Sequence, residues 1–202
     1  MLTLDHLAVS ARSLAEGVNW VEAALGVTLG PGGQHPHMAT HNGLLGLGDL
    51  YLEVIAIDPD ATPPAWPRWF DLDHFTGEPR LTNWVARTEN LTAALALAPP
   101  GTGTPVDLQR GTYRWTMAVP ATGKLPFDGA YPALIQWHPP HHPTQTLPDV
   151  HIRLTRFEIA HPEADALRAV LTLTDPRLHI TQGRAKALRA TFATPNGPRT
   201  LE

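Results

Sequence analysis

The chain has 202 residues, a net charge of −4, 43% hydrophobic residues and only 17% charged ones. That is enough chain for one large domain or two small ones, and it is too apolar to stay disordered. No basic cluster gathers phosphates, which argues against nucleic acid as a partner, and no apolar run reaches the roughly 18–20 residues of a membrane span. The absence of cysteine excludes disulfides, zinc–thiolate centres, iron–sulfur clusters and thiol catalysis. The first strand-like run begins at Leu2 and leaves no room for a signal peptide, so the expectation is a soluble, cytoplasmic, bacterial-type protein.

Residues 2–10 read as a strand, with Leu2, Leu4, His6 and Ala8 on one face and Leu7 and Val9 on the other. A helix follows. Ser13 is its N-cap, Glu16 completes a capping box, Leu14, Val18, Val21 and Leu25 form the buried stripe, and Gly26 stops it. Strands are expected at 27–29, 43–48 and 50–57, the last two joined by a tight turn near Gly48-Asp49. The order is strand, helix, three strands.

From Leu81 the same order returns. A strand over 81–86 precedes a short helix capped by Asn90 and ended by Pro99-Pro100, then strands near 104–109, 113–119 and 133–138. The chain therefore divides into a first module at 1–57, a connecting loop at 58–80 and a second module at 81–138, the repeat resting on element order more than on residue identity. Residues 149–202 read as a third, partial βαβ-type unit, with a helix over 163–171 and strands near 178–182, 186–193 and 198–202. The connection at 58–80 carries five prolines and the aromatics Trp66, Trp69, Phe70 and Phe75. It reads as a strap whose aromatics cover the outer face of the sheet. His138-Pro139-Pro140-His141-His142-Pro143 reads as a proline-stiffened linker.

The run Leu4-Asp5-His6-Leu7-Ala8-Val9, then Gly32-Gly33-Gln34-His35-Pro36, Thr40-His41-Asn42 and Tyr51-Leu52-Glu53-Val54, resembles the glyoxalase-like family of the vicinal-oxygen-chelate superfamily. The similarity continues through the strands at Trp84 and at Leu134-Ile135-Gln136-Trp137 and weakens beyond about residue 150. It implies an α+β fold of repeated βαβββ modules whose curved mixed sheets enclose a cleft. In many relatives that cleft holds a divalent metal on residues of the first and fourth strands of each module. Other relatives bind ligands without chemistry.

On that pattern His6 and Glu53 are the candidate metal ligands, a neutral imidazole and a carboxylate being suitable donors. The second module places Asn83 opposite His6 and Gln136 opposite Glu53. Amides are weak, uncharged ligands, so a polar cleft without a tightly held metal is expected, although His138 could stand in for Gln136. His35 and Glu53 are the candidate catalytic groups, His35 as an acid or base near neutrality. His6, Asn42, Tyr51, Asn83, Arg114 and Gln136 are the candidate substrate contacts, with Arg114 able to clamp a carboxylate or phosphate. His37 and His41 read as surface residues, and Trp84, Trp115 and Trp137 as core. The expected function is to act on, or bind, a small oxygenated metabolite, as a lyase, isomerase or dioxygenase. The alternative is a non-catalytic sequestering protein of the drug-resistance type. The expected partner is a small-molecule ligand, with a homodimer left open.

Overall fold

The computed structural model describes residues 1–139 and 141–202. The first module contains β1 (Thr3–Ser10), α1 (Leu14–Leu25), β2 (Gly30–His35), β3 (Thr40–Gly46) and β4 (Tyr51–Ile57). The second contains β5 (Arg80–Arg87), α2 (Leu91–Leu95), β6 (Thr104–Arg110), β7 (Tyr113–Val119) and β8 (Ala133–Trp137). Both are βαβββ, as the resemblance implies. They join edge to edge in one eight-stranded sheet, in the order β2-β3-β4-β1-β5-β8-β7-β6, with β1 and β5 antiparallel at the seam. The sheet curls so strongly that its outermost strands meet. Arg110 on β6 donates to Asn42 Oδ1 beside β2 at 2.7 Å, and a Cβ at Gly33 would overlap the Arg110 side chain.

The caps behave as local chemistry dictates. Ser13 Oγ accepts from the Glu16 amide, and Gly26 ends α1 in the left-handed conformation at φ 71°. The Glu16 carboxylate does not return to the cap; it pairs with Arg12 at 2.6 Å. Asn90 caps α2 by accepting from the Ala93 amide. The first hairpin partner is displaced from expectation. β2 starts at Gly30 rather than at residue 27, because the Glu22 carboxylate holds the Leu29 amide and keeps that stretch out of the sheet.

The convex face of the sheet carries the larger core. Leu7, Val9, Leu52 and Val54 meet Val21 and Leu25 of α1 there. A third unit packs on the same side: β9 (Arg153–His161), α3 (Ala164–Val170), β10 (Leu178–Gln182), β11 (Ala187–Thr194) and β12 (Gly197–Leu201). Its sheet runs β10-β9-β11-β12, with β9 and β10 parallel across α3. Trp84 of β5 meets Phe157 of β9 edge-on at 5.7 Å, sealing the two sheets together. Each large side chain buried in such an interface contributes about 1.5–3 kcal/mol. Among the described residues, no helix is long and apolar enough to cross a membrane.

The concave face is filled by the connection at 58–80. Trp69, Phe70 and Leu72, in a short 3-10 segment, pack against Ala8, Ile55, Val85 and Ile135. This corrects the sequence reading. The strap aromatics cover the inner face, because α1, α2 and the third unit already occupy the outer one.

Gly17 of α1 sits where a Cβ would come within 2.6 Å of Val54 Cγ1 and 2.7 Å of the Ala11 Cβ. Glycine to alanine normally strengthens a helix by up to about 1 kcal/mol. Here overpacking dominates, and Gly17→Ala should lower the unfolding free energy by about 1–3 kcal/mol, measured by urea titration. An unchanged or raised midpoint would show that α1 stands further from β4 than described.

Candidate functional site

The site is built on an irregularity of β1. The register of β1 against β5 shifts between Leu4 and His6, leaving Asp5 as an extra residue. The phase of the strand changes there. Leu2 and Leu4 face the convex core, and so do Leu7 and Val9, whereas Ala8 faces the concave core. This overturns the expected alternation in which Leu2, Leu4, His6 and Ala8 share a face. A bulge lets two consecutive side chains serve one face, and Asp5 and His6 meet there with Oδ1 and Nδ1 2.6 Å apart.

Asp5 is wholly buried and is held from three further directions. Trp137 Nε1 donates to its Oδ2 at 3.1 Å, His142 Nε2 lies 3.0 Å from the same oxygen, and Arg87 Nη1 lies at 3.5 Å. Burial alone would raise the carboxyl pKa. The hydrogen bonds from His142 and His6 outweigh that and hold it well below the usual carboxylate range. On its other side His6 presents Nε2 to Glu53 Oε2 at 3.6 Å, too long for a hydrogen bond. Burial would lower the imidazole, but two flanking carboxylates, Asp5 and Glu53, push it up to about 9. His6 is therefore an imidazolium. Its ring stacks on Tyr51 at 4.3 Å between centroids, an arrangement that favours a cation over the phenol face.

Glu53 is likewise buried against its preference. His6 and the Asn42 amide, which donates to Oε1 at 2.5 Å, outweigh the burial and bring it down to about 2. Asn42 is fixed in turn, its Oδ1 accepting from the Gly33 amide at 2.9 Å and from Arg110. His35 closes the ring, with Nδ1 3.1 Å from Thr40 Oγ1 and Nε2 3.4 Å from the Asn42 amide nitrogen. Burial is the main influence on His35 and lowers its pKa to about 4, so this imidazole is neutral. Trp69 and Trp115 pack edge-on against it.

These residues enclose a narrow cavity, with about 30 Å³ of room for water, walled by Trp69, Phe70, Trp115, Met117, Ile135 and Trp137. Of the residues singled out in the sequence, His6, His35, Asn42, Tyr51 and Glu53 come together here. The other three do not. Gln136 points to the convex face, where its Oε1 accepts from the Leu91 amide at the start of α2. Arg114 is exposed and donates to Gln109 at 2.9 Å. It alternates with Trp115, which takes the inward position. Asn83 lines a different, larger cavity. His138 bonds Thr116 outside the cavity, His37 is exposed and stacks on Trp66, and His41 stands on β3 with the parity opposite to Asn42.

Asp5, Arg110, His142 and Trp69 were not legible as site residues. Asp5 had a signal, because the apolar positions 2, 4, 7 and 9 break period at Asp5-His6. His142 belongs to the run read as a linker, of which Pro140 lies outside the described residues. Trp115 and Trp137, read as core, line the cavity, while Trp84 is core.

The donor set does not fit a divalent metal at the positions the resemblance implies. His6 and Glu53 are the only two of the four implied positions that meet, since Gln136 and Asn83 face elsewhere. Among the described residues no group of three or more His, Cys, Asp or Glu is arranged to hold a metal ion.

Residues 4–174 match the family of glyoxalase-like domains, and the chain belongs to that family. No curated protein matches it in sequence. Among solved structures, a hypothetical protein from Staphylococcus aureus aligns over 92% of this chain and 88% of its own, at 13% identity and a TM-score of 0.61, which shows a shared fold. A hypothetical protein from Bacillus halodurans aligns over 70% of this chain and 96% of its own, at 13% identity and a TM-score of 0.45. Methylmalonyl-CoA epimerase from Mycobacterium tuberculosis aligns over 68% of this chain and 88% of its own, at 16% identity and a TM-score of 0.45.

The two histidines set opposite pH slopes. His6, raised to about 9, stabilises the fold fully below its ordinary value of 6.5, and this is lost as pH rises through 9. His35, lowered to about 4, stays neutral where the unfolded chain takes up a proton, so stability also falls as pH drops from 6.5 towards 4. Stability should therefore peak near neutrality, and imidazole NMR titrations should give one midpoint near 9 and one near 4. Asp5→Asn should bring the His6 midpoint down and, by breaking a buried pair, cost about 3–5 kcal/mol. A His6 midpoint that does not move in that variant would contradict the assigned pairing.

Proposed function

We propose that the protein binds a small oxygenated metabolite in the His6–Glu53 cavity and transfers a proton on it without a metal, as an isomerase or lyase. One observation carries this reading. Trp69, in the wall of the cavity, has an indole Nε1 with no hydrogen-bond partner among the described residues, and His6 Nε2, on the same wall, reaches Glu53 Oε2 only at 3.6 Å. Buried donors left without acceptors cost about 1–3 kcal/mol each, so a ligand oxygen placed there is strongly favoured.

The roles follow from the charges. A substrate carbonyl oxygen accepts from the His6 imidazolium, and the positive charge stabilises the enolate that forms when an adjacent C–H is deprotonated. Neutral His35 is the group able to take that proton and return it. Glu53 and Asp5 keep His6 protonated, and Asn42, held by Arg110, sets the positions of Glu53 and His35. The site as built holds little more than one water-sized group, so the substrate enters as the Trp69–Phe70 strap withdraws. The aromatic lining favours a second reading, in which the protein holds the metabolite without turnover.

Incubation with small α-hydroxy ketones and aldehydes in D2O, followed by NMR, separates the two. Protein-dependent deuterium incorporation beside the carbonyl is expected. His35→Gln should slow it about 10²–10⁴-fold with the fold retained. Glu53→Gln should weaken both binding and exchange. Tight binding with no exchange in the native protein would sink the enzymatic reading and leave sequestration. Unfolding of Glu53→Gln with unchanged affinity in the folded remainder would make Glu53 a structural carboxylate.

A further inference from the structure

A larger cavity, of about 690 Å³, opens where the start of β5 meets the strap, the loop before β8 and the third unit. It is separate from the His6–Glu53 cavity, although Phe70 walls both. Asn83 stands in its lining and is buried to 96% by a residual exposure of 4%, yet its amide makes no hydrogen bond among the described residues. Beside it lies the half-buried Lys186. The ammonium donates to the backbone carbonyls of Thr82 at 3.0 Å and Asp128 at 2.6 Å, and has no carboxylate partner among the described residues. An ammonium has three N–H bonds, so one remains. Gly129 brings the two side chains to a common point. A Cβ there would lie 2.7 Å from Asn83 Nδ2 and 3.2 Å from Lys186 Nζ.

Both donors thus pack around Gly129 at the cavity wall, beside the Thr82 carbonyl that Lys186 already occupies. The other charges around the cavity are mostly spent. Asp71 is held by His74 and Lys124, Glu158 by Arg156, and Glu202 by Arg189. The Asp128 carboxylate makes no ion pair among the described residues and faces the same space. Burial pushes the Lys186 pKa down, partly countered by Asp128, so a ligand that brings negative charge relieves the ammonium of its desolvation.

We propose that this cavity is a second ligand site, for a small organic acid. Its carboxylate lies between the Lys186 ammonium and the Asn83 amide, and its apolar body lies against Phe70, Leu125 and Leu188. One ammonium and one amide match a single negative charge. A phosphate dianion would meet the Asp128 and Asp71 carboxylates on the same wall, which disfavours it despite Arg80 and Lys124 in the lining. The assignment does not depend on chemistry at His6 and Glu53.

Benzoate is a suitable probe, with benzamide as its neutral isostere. Calorimetric titration should show benzoate binding at least about tenfold more tightly than benzamide, as expected for a charge-assisted hydrogen bond. Backbone amide shifts on benzoate addition should fall on Asn83, Gly129 and Lys186. Lys186→Met should weaken benzoate about tenfold, with the melting temperature lowered by loss of the bonds to the Thr82 and Asp128 carbonyls. Asp128→Asn, at a left-handed position that asparagine tolerates (φ 53°), should tighten it about threefold. If Lys186→Met does not fold, the Asp128→Asn result decides. Equal affinity for benzoate and benzamide, shifts confined to the His6–Glu53 cavity, or no tightening in Asp128→Asn would overturn the proposal.

Discussion

A carboxylate with no exposure to water survives only if its charge is answered on every side, and Asp5 sets that demand at the centre of this protein. His6, Trp137 and His142 answer it from β1, β8 and the segment after β8. Those partners come from both modules, so the closed sheet and the charged cluster require each other. The cluster exists at all because β1 accommodates one extra residue. Without the bulge, strict alternation from Leu2 and Leu4 would turn His6 into the convex core, away from Glu53 and on the opposite face from Asp5. With the bulge, the strand delivers a carboxylate and an imidazole to the same side, and the imidazole becomes a cation aimed at Glu53.

The second governing constraint is space on the concave face. A half-barrel of eight strands leaves an open interior, and the 58–80 strap fills it with Trp69, Phe70 and Leu72. Phe70 and Asp71 both adopt left-handed backbone conformations, at φ 60° and 55°, which costs non-glycine residues about 1–2 kcal/mol each. The Asp71 amide donates to the Gly123 carbonyl at 3.0 Å, fixing that geometry, and burial of the two aromatic rings offsets the cost. The strap thereby divides the interior into a tight, charged, aromatic-lined cavity and a larger one at the start of β5. Phe70 belongs to both walls, so any motion of the strap changes the two together.

The modules are alike in topology and unlike in chemistry. In the first, β1 and β4 bring His6, Tyr51 and Glu53 to the concave face. In the second, the matching strands bring Val85, Ile135 and Trp137 there, while Gln136 turns outward to cap α2. A paired metal site needs polar donors from both halves. Here the second half contributes an apolar wall and one indole donor, and the charged machinery belongs to the first half, completed by Arg110 and His142.

Much of the fold was legible along the chain, because its determinants are local: Ser13 and Asn90 at helix starts, Gly26 at a helix end, alternating apolar residues in the strands. The family resemblance lay in the first module, and so did the five residues that converge; alternation predicts the side of Tyr51 and Glu53, whereas His35 and Asn42 lie outside the expected strands and were singled out by the resemblance alone. Residues from elsewhere were misplaced for a common reason. Gln136 and Arg114 occupy strands whose inward positions were taken by Trp137 and Trp115, a choice of face that depends on what the sheet packs against. Arg110 reaches Asn42 only because the sheet curls until its edges touch, and His142 reaches Asp5 across 137 positions of sequence. The sequence by itself determined the elements, their order and the polar groups of the first module. Only the tertiary structure decided which of them share a cavity, since curvature, strap placement and burial arise from contacts between residues that the chain keeps far apart.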